Sequence, residues 1–198
     1  LIKLPRHLPV HQPIELGLMD RQVARKFYER ALESVQHTWE ERALQFMATI
    51  VGGFPVMWHE LGDAVFWADD DQHIAVHDVW AGMEIAAQNV GRKYLQRPLY
   101  EALRSNVYKN ILQYIASVPP LGVLKRSEAR RQLPPREARN FDNFVHRMRD
   151  LGVLRPGPSR GEYLFTNLLY HYYIVLLQRA AEETGKVNRR RGNAGRKI

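Results

Sequence analysis

Cysteine is absent from the 198 residues, which excludes disulfides, thiolate catalysis and cysteine-ligated zinc. Long apolar runs are absent as well. The nearest, Leu168 to Leu177, is interrupted by His171 and tyrosines and falls short of the roughly 20 residues a spanning helix needs. No membrane partner is expected. The first residues, LIKLPRHLPVHQP, hold no continuous apolar core of the kind a signal peptide carries, so the expected location is cytoplasmic. No G-x-x-x-x-G-K-[ST] loop occurs, and no strand is followed by paired acidic residues. Nothing in the chain therefore cradles β and γ phosphates or holds their magnesium. No serine, histidine and acid fall into a nucleophile turn, and Glu40-Glu41, Asp69 to Asp71 and Glu182-Glu183 read as surface clusters. His73 and His77 have the i, i+4 spacing of a helical metal pair, but Ile74 stands where a zinc peptidase carries glutamate. Neither a metal nor catalysis by this chain alone is expected.

What is present is ordinary in amount and uneven in place. With 45% hydrophobic and 25% charged residues the composition is that of a globular protein, long enough for one large or two small cores. Residues 1–118 hold 12 Lys and Arg against 14 Asp and Glu, a net of −2; residues 119–198 hold 17 against 7, a net of +10. A polyanion partner suits the second half, because each neutralised phosphate releases counterions.

Along the chain, residues 1–13 carry three prolines and read as an extended leading segment. Beginning on Leu1 rather than Met, the chain reads as the middle of a longer protein. Asp20 caps a helix whose stripe is Val23, Ala24, Phe27, Ala31 and Leu32. Thr38 to Val51 is a second helix. Gly52-Gly53 breaks the chain, Pro55 opens a third helix to Trp67, and Asp69 to Asp71 form a solvated loop. Asp78 starts a fourth helix, which Gly91 stops. Pro98 begins the next unit: Leu99 to Ser117 is its first helix, and Ser127, as N-cap, opens a second that runs to Leu133. Its third helix places Phe141, Phe144, Val145, Met148 and Leu151 at spacings of three and four, with Arg139, Asn143, His146, Arg147 and Arg149 opposite. Gly152 ends that helix, and Val153-Leu154, a turn from Pro156 to Gly161 and Tyr163 to Phe165 make a ribbon.

Three helices followed by a ribbon are a winged helix-turn-helix, whose third helix reads a groove and whose wing touches backbone or minor groove. The fold class expected is mainly α: a helical bundle over residues 14–97, a winged helix-turn-helix with a small β-wing over 98–184, and a flexible basic tail over 185–198. The expected DNA contacts are Arg136, Arg139, Asn143, His146 and Arg147 on the third helix, Arg160 at the wing tip, and Arg189, Arg190 and Arg191 on phosphates.

The helix order, with Leu16-Gly17-Leu18 at its start, Gly52-Gly53-Phe54-Pro55 opening the third helix and Leu61-Gly62-Asp63 within it, resembles the C-terminal part of AAA+ ATPases. The likeness is to the archaeal-type and STAND-like branch, in which a helical lid precedes a winged helix. It covers residues 14 to 184. The resemblance implies that Gly53, Phe54 and Pro55, with His59 one turn on, lie against a nucleotide. A glycine pair also allows close backbone approach to a ligand. No arginine is assigned as a γ-phosphate sensor, although Arg42 is available. ATP or ADP would belong to the full-length protein, held by an absent N-terminal P-loop domain, with none expected for this chain alone. The partners expected are that domain, duplex DNA and a possible second copy. In the alternative the winged helix docks on protein, as an interaction or autoinhibitory module, with the apolar Leu168 to Leu177 helix as the motive.

Overall fold

The computed structural model describes residues 19–96, 105–119 and 121–194, with side chains described as far as residue 181. Helix α1 (Arg21–Ser34) starts where Asp20 Oδ1 accepts a hydrogen bond from the Gln22 amide at 2.7 Å, satisfying one of the amides a helix start leaves free. It buries Ala24, Tyr28 and Leu32. The buried stripe is thus rotated from the expected one, leaving Val23 and Ala31 exposed.

The expected helix from Thr38 is shorter. Thr38–Trp39 form a strand, β1, and helix α2 is Glu41–Val51. A β-branched and an aromatic residue favour the extended chain, and β1 finds a parallel partner in β2 (His73–Ile74). His73 is therefore on a strand while His77 is on the next helix, so the two are not a helical pair. The acidic loop ahead of β2 is solvated at Asp70 and Asp71, as expected, but it is also held in shape and draws Asp69 inward. Asp69 Oδ2 and Asp71 Oδ1 each accept a backbone amide at 2.9 Å, from Gln72 and His73. The Asp69 side chain is only 3% exposed and lies 3.4 Å from His37 Nε2.

Pro55 occupies the first turn of α3 (Pro55–Ala68), where its missing N–H costs nothing. Helix α4 (Val76–Val90) packs along α3. Asp78 opens α4 by accepting the Ala75 amide at 2.8 Å. Gly91 does not stop this helix. Its φ and ψ of −58° and −49° keep it helical, and the chain continues as a π turn, Gly91–Leu95. The glycine answers a different need: a Cβ there would lie 2.2 Å from the Tyr173 ring.

The second half begins with α5 (Asn106–Ser117). Its N-cap Ser105 is extended (φ −91°, ψ 126°), so a single helix from Leu99 is excluded, and the expected start at Pro98 lies outside the described residues. Strand β3 (Leu124–Lys125) leads into α6 (Arg126–Gln132) and α7 (Pro135–Asp150). Ser127 sits inside α6, whose N-cap is Lys125 without a side-chain cap. Gly152, at φ +68°, ends α7 with its amide on the Arg149 carbonyl and the Val153 amide on that of Met148, both at 2.9 Å. A left-handed glycine after the last turn closes helices in this way. Strands β4 (Leu154–Pro156) and β5 (Glu162–Phe165) complete an antiparallel sheet of order β3-β5-β4.

Helix α8 (Leu168–Ala194) contacts α4, α5 and α2. Leu168, Leu169, Tyr173 and Ile174 join one buried cluster that runs from Ala24 in α1 to Phe165 in β5. The backbone stays helical past Gly185, where a flexible tail was expected. One glycine costs a helix only about 1 kcal/mol. The architecture is mainly helical with a small β-wing, and among the described residues no helix is long and apolar enough to cross a membrane.

His171 on α8 is 2% exposed, its ring centroid 4.5 Å from that of Phe165. Burial pushes its pKa below the usual 6.5, against the opposing pull of the Ile115 and Val118 carbonyls. The folded chain therefore favours the neutral ring, and the unfolded chain binds a proton first as pH falls. Its contribution to stability is complete above pH 6.5 and is lost as pH falls below that value. A melting temperature that drops between pH 7 and 5, with a shallower drop in His171→Gln, is the expected result of thermal melts.

Candidate functional site

Helix α7 separates its residues cleanly. Glu137, Phe141, Phe144, Val145 and Met148 are buried, whereas Arg136, Arg139, Asn143, His146 and Arg147 are all exposed. At 3.6 residues per turn those five fall within an arc of about 100°. One face is therefore a row of donors, three of them guanidiniums. Among the described residues, Arg136, Arg139 and Arg147 make no ion pair, while His146 Nδ1 lies 2.9 Å from Asp150 Oδ2 one turn on. The inner face is fixed by packing and by Asn110 Nδ2, which donates to the buried Glu137 carboxylate at 2.7 Å.

The wing adds a second basic surface. Its turn is tied down by the Gly157 amide on the Glu162 carbonyl at 2.8 Å and by the Arg126 amide on the Gly161 carbonyl at 2.9 Å. Arg160 thereby stands over the start of α6, sharing a recess of about 510 Å³ with Lys125, Arg126, Ser127 and Arg130. Arg126 and Arg130 both donate to one oxygen, Asp142 Oδ2 on α7. That carboxylate also pushes the Arg126 pKa further above its usual value. Sequence reasoning passed over Arg126 and Arg130, although their i, i+4 spacing at the start of a helix was visible. The backbone of Arg189, Arg190 and Arg191 continues α8, and their side chains lie outside the described residues.

The glycine break before α3 is occupied from within the chain. Gly52 has φ +60° and ψ −150°, and a Cβ there would stand 2.7 Å from the Thr166 carbonyl oxygen at the β5–α8 junction. The Gly52 carbonyl accepts Trp58 Nε1 at 3.2 Å, and that of Gly53 accepts the Met19 amide at 3.1 Å. Gly52 and Gly53 line a cleft of about 440 Å³ with Arg21, Arg155 and Asn167. Asn167 is 3% exposed, its Oδ1 caps α8 by accepting the Tyr170 amide, and its Nδ2 has no partner among the described residues. His59 instead borders an aromatic cleft of about 590 Å³ between α1 and α3, its ring 4.9 Å from Phe27. Phe54 is half-buried and Pro55 exposed. Gly53 and His59 thus open on different clefts, and neither is lined by Phe54 or Pro55.

No protein-family model matches the chain, and no curated protein matches it in sequence. Among solved structures the fold is similar to that of the Walker-type ATPase PABY2304 of Pyrococcus abyssi, with a TM-score of 0.55 at 14% identity over 79% of this chain. The match takes in 42% of that ATPase, so the chain spans less than half of the protein it resembles. At this identity the likeness is one of fold, and that fold belongs to part of an archaeal Walker-type ATPase.

Proposed function

We propose that this chain is the helical lid and winged-helix portion of an archaeal-type, STAND-like AAA+ ATPase, and that it couples nucleotide state to the grip on duplex DNA. The observation that carries the reading is the row on α7: five exposed donors on one face of a helix whose other face is core. A helix set beside a two-stranded wing is shaped for a groove, and its cations match the phosphates on either side. ATP or ADP would be bound by a P-loop domain outside this chain, with the Gly53-Phe54-Pro55 turn facing it; His59, which opens on a separate cleft, is not part of that face. Coupling would pass through the Gly52–Thr166 contact, because it joins the turn before α3 to the root of the wing. Any movement of one against a nucleotide is felt by the other.

Docking on protein through α8 is the less favoured reading, since Leu168, Leu169, Tyr173 and Ile174 are buried in the core and Tyr172, Val175, Leu176 and Leu177 are half-buried. The test is duplex affinity by fluorescence anisotropy for wild type and the Arg139→Ala/Arg147→Ala variant. Both positions are exposed, so the fold is expected to survive. If one of the two reads a base, the loss is about 1 to 3 kcal/mol for that side chain; if both hold phosphates, the salt slope falls by about 2. An unchanged affinity at low salt would remove this reading of α7.

A further inference from the structure

We propose that Arg126, Arg130 and Arg160, with Lys125 beside them, form a second phosphate-binding site that holds a backbone phosphodiester of duplex DNA next to the α7 row. The proposal rests on the DNA reading above and adds Lys125, Arg126 and Arg130, with the recess they form, to the wing-tip Arg160 expected from the sequence. Four cationic side chains converge on the recess between β3, the start of α6 and the wing turn. Their carboxylate partners are few and already engaged. Lys125 Nζ lies 3.4 Å from Glu128, and Glu162 Oε2 turns back to accept the Ser159 amide at 3.1 Å. Arg160 has no acidic partner among the described residues.

The arrangement of Arg126 and Arg130 is the telling part. Two guanidiniums meet at a single carboxylate oxygen, Asp142 Oδ2, which fixes both forks and neutralises only one of the two charges. Like charges held together favour an anion between them. Arg126 Nε is in addition buried with no acceptor among the described residues, and an unmet buried donor costs free energy that an incoming oxygen recovers. A guanidinium held in place loses little freedom when a phosphate arrives, and its planar fork matches two phosphate oxygens. Asp142 is itself on α7, three residues from Arg139 and one from Asn143. The recess and the donor row are therefore neighbours, joined through Asp142.

Arg130 and Arg160 are exposed, so Arg130→Gln/Arg160→Gln tests the site without touching the core. Its salt titration on a labelled duplex is expected to show a slope smaller by about 2 than wild type, additive with the loss from Arg139→Ala/Arg147→Ala. If the α7 variant loses binding while the Arg130/Arg160 variant keeps wild-type affinity and slope, the α7 row stands and this second site falls. A separate arm uses inorganic phosphate and needs no duplex. The Arg126 Nε–Hε and Gly161 amide NMR signals are expected to shift saturably in the wild type and not in the Arg130/Arg160 variant. Absence of that shift overturns the site whatever the duplex does. Its presence, should the wild type not bind duplex, leaves the phosphate chemistry in place and removes the DNA source.

Discussion

Gly52→Ala is expected to destabilise the chain by about 3 kcal/mol, measured by urea or guanidinium unfolding. The torsions φ +60° and ψ −150° fall in a region that only glycine occupies at low cost, and forcing another residue there costs about 1 to 3 kcal/mol. The Thr166 carbonyl at 2.7 Å from the new Cβ adds a steric term that side-chain rotation cannot relieve, since the obstructing atom is backbone. Gly152→Ala is the control. It has φ +68° with nothing within 4 Å of the added Cβ, so it carries only the torsional cost of roughly 1 to 2 kcal/mol. If the two variants lost equal stability, the Gly52–Thr166 contact would not be the junction between the halves that the fold makes it. Under the coupling proposed for the chain, the folded fraction of Gly52→Ala also binds duplex more weakly, because the root of the wing has shifted.

The second large effect belongs to Gly82→Ala. Helices α3 and α4 approach so closely there that the added Cβ would lie 2.6 Å from Val65 Cα and Cγ2 and 2.7 Å from Val65 N. Alanine gains up to about 1 kcal/mol in helix propensity over glycine, yet overpacking of this kind costs 1 to 3 kcal/mol or more. A net loss of about 2 kcal/mol is expected, read as a lower denaturant midpoint with an unchanged slope. Gly62, on α3 but facing α1, provides the comparison. A Cβ at Gly62 would meet the Tyr28 ring at 3.1 Å, an aromatic edge that can give by a few tenths of an ångström, so Gly62→Ala is expected to be much milder.

Residues whose neighbours in sequence are also their partners in space announced themselves. Asp20 capped α1, Pro55 opened α3, Gly152 closed α7, and the periodicity of Phe141, Phe144, Val145 and Met148 gave the outward row of α7 without any coordinate. Long-range pairings were not announced. Strands β1 and β2 are two residues each and join Thr38 to His73, and no alternation can be seen in so short a segment. Strand β3, likewise two residues, acquires its role from Glu162 and Tyr163, which lie far along the chain. Gly91 was misread because a glycine after a helix pattern looks the same whether it ends the helix or makes room for Tyr173. The Arg126–Asp142–Arg130 cluster was missed for a related reason: Asp142 is on the next helix, and only the fold brings its carboxylate between the two arginines. Of the residues proposed to face a nucleotide, the glycine turn was recognisable as special, but its contact with Thr166 required the wing to be in place.

The central claim is that the second half of this chain grips duplex DNA through cations on α7 and the wing. Its most direct test is the equilibrium affinity of the chain for a labelled duplex across a series of salt concentrations. The account predicts binding whose logarithm falls linearly with the logarithm of salt, at close to 0.9 per phosphate contacted, and a shallower line for Arg139→Ala/Arg147→Ala. Absence of binding at low salt, or an affinity indifferent to salt, would contradict it.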